Sequence, residues 1–388
     1  MSRRFFIFNF SFLILSLLTS CGGGGTAGPA SSGTRVYPIG AVLEKSGELG
    51  NWGDASQKGM ELAVDDLKGK DGIELKLYVE DNKSAPDQSA NAFISLVNGR
   101  DVLAVLGCVA SSDTRAMKEQ ANKLKVPILT HASTNVQLTK DTEWLYRICW
   151  NDNFQGFVCA QFAYNNLKSR KAVLVTDAAQ DYSRGLSANF RETFEKIGGK
   201  VLDELTYQSK DKVFTAQVER LKQLDPDCVF ASGYAAETAL LLKTAREAGF
   251  SKPFVGGDGL DDKQLVSIAG PLVGTGVYLC NHAHNDDPDP RIQDFVRKFK
   301  ARYGEVPQNA MALLGYDAVV AVHDAIRRAA QKGPVTRETV RDGLATIKNL
   351  SVVTDTVTMG PDHEVRKRAV MAEYQGDGSL KFVSEVKP

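Results

Sequence analysis

The residue types able to do chemistry in this chain gather at the ends of short apolar runs. "THASTN" (130–135) follows the apolar stretch Val126-Pro127-Ile128-Leu129 and sets His131, Ala132, Ser133, Thr134 and Asn135 side by side. One apolar run earlier, "GCVASSDT" (107–114) carries Ser111, Ser112 and Asp113. Hydroxyls in such a row can be a nucleophile, an anion clamp or an ordinary solvated turn. A nucleophile needs a base and a third group that orients the base. His131 stands beside the hydroxyls, but no acid is placed to orient it. The chain also has no G-x-S-x-G, no Walker P-loop, no H-E-x-x-H and no G-x-G-x-x-G after a strand. No catalytic residue and no enzymatic activity are expected.

Binding fits these residues better. Ser111, Ser112 and Asp113 have the composition of a helix start. A helix start offers unpaired N–H groups and positive dipole character, which suit a carboxylate. The same composition also serves plain capping with no ligand. Asp258, in the Gly-flanked "GGDGLD", can meet a cation or simply make a turn. Trp52, Trp150, Tyr182 and Tyr234 fall at loop positions, where aromatics are suited to line a pocket. In "NHAHNDD", His282 and His284 alternate ahead of Asp286 and Asp287. On a strand they would share a face, and His with carboxylate suits zinc. The "DPDP" that ends the segment is turn chemistry, however, and a closed zinc site needs more ligands at fixed spacing. A polar loop is expected there, with no metal and no cofactor.

These loops need a frame, and the chain supplies one by alternation. "RVYPIGAVL" reads as a strand. In "DASQKGMELAVDDL", Met60, Ala63, Val64 and Leu67 fall at i, i+3, i+4 and i+7, the stripe of an amphipathic helix. "IELKLYVED", "VLAVLG" and "VPILT" are strands, with helices in "APDQSANAFISLVN" and "DTRAMKEQANKLK" between them. The rhythm restarts with "KAVLVT", a helix from about Gly185 to Ile197, "GKVLDELTY", a helix near Thr215 to Leu224, "CVFAS", a helix from Ala235 to Ala248, and "PFVGG". Strands and helices alternating at this spacing predict parallel sheets covered by helices on both faces. Two such series predict two Rossmann-like α/β lobes. The last third breaks the pattern, with helices over about Pro290 to Tyr303, Ala310 to Gln331 and Thr336 to Ile347, then strands near Val357, Ala369 to Tyr374 and Leu380 to Val383. Those helices are expected to return to the first lobe and the last strands to reach the second.

The front of the chain predicts export. Arg3 and Arg4 precede an apolar run from Phe5 to Leu18 that is short for a membrane span. It ends in "LTSC", which resembles the bacterial lipobox, so Cys21 is the expected lipidation site after a signal segment 1–20. Residues 21–34 are a Gly/Ser-rich tether. The expected location is the cell envelope, lipid-anchored and facing the periplasm or exterior. Lys+Arg 47 balance Asp+Glu 47, so nothing in the charge favours nucleic acid. Cys108, Cys149, Cys159, Cys228 and Cys280 remain, an odd number without a C-x-x-C, and no pairing is predicted.

Read in order, "SGELGNWGD" with "GMELAVDDL", "VLGCVASSDTRA", "PILTHASTNVQLT", "YRICWNDNFQG", "DYSRG", "SGYAAE" and "FVGGDGLDD" resemble the leucine/isoleucine/valine-binding family of bacterial periplasmic solute-binding proteins (type I fold). The similarity runs from about Val36 to Val383. It implies two three-layer α/β/α lobes joined by three hinge crossovers, near Asn151–Asn153, Leu279–His282 and Gly360. The lobes would then be 35–152 plus 282–360, and 153–281 plus 361–388. The resemblance further implies that Ser111, with Ser112 beside it, and Thr134 bind a ligand carboxylate, helped by backbone around Ala132 and Ser133. Asp258 would meet the ammonium, Tyr182 and Tyr234 would close from the second lobe, and Trp52 would line the side-chain end. The chain departs from the pattern at Cys149-Trp150, where Trp150 would fill or line the cleft, and at His131, which replaces a Pro. An aromatic, amide or other amino-acid-like ligand therefore stays open beside a branched-chain one. The implied role is the substrate-binding lipoprotein of an ABC importer, a monomer working with a membrane permease; a sensory lipoprotein is the alternative.

Overall fold

The first parallel series forms because each strand is a short apolar run followed by a helix with one apolar stripe. The computed structural model describes residues 33–388; the expected signal segment, Cys21 and all but the end of the tether lie outside the described residues. The series comprises β1 (Arg35–Leu43), α1 (Gly50–Leu67), β2 (Ile73–Asp81), α2 (Pro86–Arg100), β3 (Val105–Gly107), α3 (Ser111–Leu124), β4 (Ile128–Thr130) and β5 (Leu145–Arg147). The strands pair all-parallel in the order β2-β1-β3-β4-β5. Parallel strands covered on both faces read as continuous apolar runs, and β3 and β4 are buried throughout.

The second series is α4 (Asp152–Asn165), β6 (Lys171–Asp177), α5 (Asp181–Lys196), β7 (Lys200–Tyr207), α6 (Thr215–Leu224), β8 (Cys228–Ala231), α7 (Ala235–Glu247), β9 (Phe254–Gly256), α8 (Lys263–Ala269) and β10 (Val277–Asn281). After it come α9 (Pro290–Tyr303), α10 (Met311–Lys332), α11 (Arg337–Ala345), a two-stranded ribbon of β11 (Leu350–Ser351) and β12 (Thr356–Val357), then β13 (Ala369–Tyr374) and β14 (Leu380–Val386). The second sheet runs β14-β13-β10-β9-β8-β6-β7, parallel except that β13 and β14 are antiparallel at one edge.

The late helices pack on the first sheet. Val319, Val322 and Ile326 of α10 share one core with Ile39, Leu43, Met60 and Leu106. The contact between α1 and α10 is unusually close, since Gly59 lies against the Ala312 carbonyl and Gly315 against that of Ser56. The chain therefore passes between lobes three times, after Ile148, after Asn281 and after Val365. The third passage differs from the expected Gly360. Gly360 instead turns a tight hairpin, in which its N–H donates to Glu364 O and Met359 bridges Val365. Met359 and Val365 both belong to the first lobe's core, while Ala369 belongs to the second's.

Five elements are absent from the sequence expectation: α4, β5, α8, β10 and β11. β5 is too short to alternate. α4 buries Asp152, Gln155 and Gly156 on the same face as Val158, Cys159 and Phe162, while Phe157 stands exposed on the other, so hydrophobicity does not mark which face is inside.

Candidate functional site

On the first lobe the site wall is the carboxyl end of β3 and β4. The β3–α3 turn is built around a buried carboxylate of the chain's own: Glu44, fully buried, accepts the N–H groups of Val109 (3.1 Å) and Ala110 (3.0 Å). Asp113 lies beside it, and burial together with Glu44's charge pushes its carboxyl up to about 9. The helix start differs from the expectation in its detail. Ala110 is the cap residue, no side chain caps α3, and Ser111 is its first helical residue. The Ser111 hydroxyl is thereby free to face the next loop, where it accepts from Asn135 N (3.2 Å). Ser133 is spent on structure: its hydroxyl donates to the carbonyls of Cys108 (3.0 Å) and Val109 (2.9 Å) as alternatives. Thr134 follows it, and its carbonyl accepts from Asp152 N (2.9 Å) at the first crossing.

The second lobe faces this wall with Asp258, on a short helical turn after β9. Asp258 Oδ1 accepts from Gln155 Nε2 (2.8 Å) and from Tyr182 OH (2.9 Å), and Oδ2 lies 2.9 Å from His282 Nε2. Tyr182 is in the first turn of α5 and Tyr234 caps α7; their rings stack at 5.4 Å. Trp52, from the first turn of α1, meets Tyr234 edge-on at 5.3 Å and donates its Nε1–H to Asp261 O (3.0 Å).

Between the walls lies a cavity with about 220 Å³ of atom-free space, lined from the first lobe by Trp52, Val109, Ser111, Ala132, Thr134 and Met311, and from the second by Tyr182, Tyr234, Asp258 and Gly259. Only about 10 Å³ of it is open to the centre of a water molecule, room for roughly one water and far below a drug-sized pocket. The lobes are shut over it. Asn51 Nδ2 donates to Asp262 Oδ1 (3.0 Å), Gln264 Nε2 to Glu48 O (2.9 Å), Asn135 Nδ2 to Asp181 O (2.7 Å) and Asp181 N to Ser112 Oγ (3.1 Å). Asp261 Oδ2 accepts from Ala310 N (2.9 Å) at the start of α10; burial pushes this carboxyl up to about 6. Gly185 of α5 leaves room for the contact at Asn135, since a Cβ there would stand 2.6 Å from Asn135 Nδ2. Gly185→Ala is therefore expected to raise helix propensity, by up to about 1 kcal/mol, yet to weaken ligand binding severalfold by obstructing closure. Thermal melting of the ligand-free protein and titration of the ligand check the two signs separately.

A cavity that joins two α/β lobes at the strand ends is a ligand site by position. A family model described as periplasmic binding protein matches residues 36–379. The chain belongs to the periplasmic binding protein family. It is 29% identical over 323 residues to "Leu/Ile/Val-binding protein homolog 3" of Brucella melitensis, covering 81% of this chain and 85% of that one. Among solved structures, a leucine-binding protein of Thermotoga maritima superposes with a TM-score of 0.86 at 32% identity, covering 91% of this chain and 99% of that chain. An isoleucine complex of the branched-chain amino acid transporter substrate-binding protein of Streptococcus pneumoniae gives 0.83 at 31%, covering 91% of this chain and all of its own (100%). Solute-binding proteins of this kind are not enzymes.

Of the residues singled out in the sequence, this periplasmic binding protein brings Trp52, Ser111, Ala132, Thr134, Tyr182, Tyr234 and Asp258 to one cavity. Ser112 stands at its rim instead, and Ser133 braces the loop behind it. Trp150 corrects the expectation that it fills or lines the cleft. It lies flat on His282, centroids 3.7 Å apart, and borders a separate groove with Phe154, Phe157 and Lys367. The stack is possible because the first and second crossings run side by side there. His131 is fully buried, 2.8 Å from Ser56 Oγ, and burial followed by the nearby His282 pushes its imidazole down to about 3. His284 is a loop residue whose Nε2 reaches Leu380 O (2.9 Å), and among the described residues no cluster of His, Cys, Asp or Glu could hold a metal. All five cysteines among the described residues are buried thiols. Sequence reasoning missed Val109, Met311, Gln155 and the role of His282. Val109 lay in a flagged loop; Met311 and Gln155 sit on helices with no local sign of function.

Proposed function

We propose that the protein is the substrate-binding component of an ABC importer and captures a zwitterionic amino acid, branched-chain or closely related, by closure of the two lobes. The observation that carries this reading is the polarity of the cavity. One wall presents the first turn of α3 with the hydroxyls of Ser111 and Thr134, which suit a carboxylate; the opposite wall presents the Asp258 carboxylate, which suits an ammonium. Neither ligand charge would then be buried unpaired. Val109, Met311 and Trp52 leave an apolar end for an aliphatic side chain. The relatives' names support the same class, since they are described as binding leucine, isoleucine or valine.

In this reading the mature chain is held by lipid on Cys21 after removal of residues 1–20, works as a monomer and delivers its ligand to a membrane permease. The rim hydrogen bonds make closure the step that traps the ligand. A thermal-shift screen against amino acids, amides, small carboxylates and sugars tests it, because a ligand that binds only the folded form raises the melting temperature. Branched-chain amino acids are expected to give the largest shifts. Stabilisation by sugars and by no amino acid would refute the reading.

A further inference from the structure

The amino-acid reading leaves open what makes Asp258 selective, and the second crossing supplies an answer. Asp258 is buried, and a carboxylate offers about four lone-pair positions. Three are occupied by the chain itself: Gln155 Nε2 and Tyr182 OH on Oδ1, and His282 Nε2 on Oδ2. One position on Oδ2 remains. His282 is firmly held, since Trp150 lies on its ring at an interplanar angle of 18° and Asn281 Oδ1 accepts its backbone N–H (2.8 Å). Asn281 is itself fixed, through Nδ2, on Asp261 Oδ2 (2.7 Å), the residue whose carboxylate reaches α10 across the lobes.

We propose that His282 is a positioning residue for ligand recognition: its Nε2–H orients the Asp258 carboxylate so that one acceptor position is left for the cavity, and the site thereby selects ligands that carry an ammonium group. The inference rests on the amino-acid reading above. It requires His282 to donate without carrying charge, because an imidazolium would cancel the carboxylate that the ammonium needs. Burial lowers the imidazole's pKa, against the opposing pull of Asp258. The other groups that face it are His131 from the loop after β4, and the buried ion pair of Lys367, from the third crossing, with Asp317 of α10 (3.1 Å). His131 is neutral and the pair cancels; burial raises the neighbouring carboxyls of Asp152 to about 8 and Asp261 to about 6, and of the three carboxyls only Asp258 lines the cavity. Acidification that protonates His282 in the ligand-free protein opposes binding, so affinity for an amino acid should fall as the pH drops below the ordinary imidazole range.

The test is calorimetric titration of the wild type, His282→Phe and His282→Gln with leucine and with its deaminated analogue, 4-methylpentanoate, near neutral pH and near pH 5. Phe keeps the stack on Trp150 and removes the donor. It is expected to weaken leucine by about tenfold or more and the deaminated analogue by less than about twofold. Gln keeps an N–H donor and cannot titrate. It should hold leucine within about threefold of the wild type at neutral pH and flatten the fall at low pH. If Phe weakens both ligands equally, or leaves leucine within about twofold, His282 does not act through the ammonium and the inference is overturned. A wild type that binds no amino acid at all would overturn the functional reading first, and this inference with it.

Discussion

Asp258→Asn is expected to weaken amino-acid binding by about thirtyfold or more while leaving the fold intact. Removing one partner of a buried, hydrogen-bonded charge pair costs about 2–5 kcal/mol, and each 1.4 kcal/mol or so is tenfold in affinity. The ligand's ammonium would lose its counter-charge in a cavity whose polar walls are themselves almost fully buried, Thr134 at 1% and Asp258 at 5% exposure. The substitution keeps most of the surrounding bonds. The Asn oxygen can still accept from Gln155 and Tyr182, and its amide can donate to His282 Nε2 once the imidazole proton moves to Nδ1, a buried atom with no acceptor among the described residues. That unpaired N–H costs about 1–3 kcal/mol, so the ligand-free melting temperature should fall by a few degrees while the transition stays cooperative. Calorimetry and thermal melting together check this, and retention of amino-acid affinity within about threefold would show that Asp258 is not the ammonium partner.

Gly59→Ala is expected to be among the most damaging small substitutions in the first lobe. A Cβ at Gly59 would stand 1.8 Å from the Ala312 carbonyl oxygen and 2.7 Å from its carbon, both backbone atoms that no rotamer can move. Relief requires α1 and α10 to separate. Overpacking of this kind costs about 3 kcal/mol or more, only partly offset by the roughly 1 kcal/mol that Ala gains over Gly in a helix. For a lobe of this size the net loss corresponds to a fall of roughly 4–8 °C in melting temperature. Ligand affinity should fall as well, because α1 carries Trp52 to the cavity and Ser56 to His131. Gly99→Ala is the control: it lies in α2 with open space around a Cβ, and it should stabilise slightly. Equal melting temperatures for the two variants would mean that the α1–α10 contact is looser than described.

The expectation of two α/β lobes was legible because each strand–helix unit satisfies its own local pattern: Met60, Ala63, Val64 and Leu67 predict a buried helical face whatever lies beneath it. Asp258 and the hydroxyl loops stood out as small polar residues where the apolar runs stop. What escaped was whatever depends on pairing across long separations. Nothing near Trp150 announces that it will stack on His282, and nothing near His282 announces Asp258; its alternation with His284 reads as a polar loop, whereas the structure sends the two rings to different partners. Met311 reads as the start of a helix that covers the first sheet, because neither of its chain neighbours lines the cavity. The family resemblance placed a crossing near Gly360, where the bridge from Met359 to Val365 closes a tight hairpin instead.

The zwitterion complementarity of the cavity is tested most directly by calorimetric titration of the wild-type protein with leucine, with 4-methylpentanoate, which lacks the ammonium, and with 3-methylbutylamine, which lacks the carboxylate. Strong binding of leucine with each analogue weaker by about tenfold or more is the predicted result, since each analogue leaves one wall's charged or hydrogen-bonding groups unpaired. Binding of either analogue as tightly as leucine would contradict it.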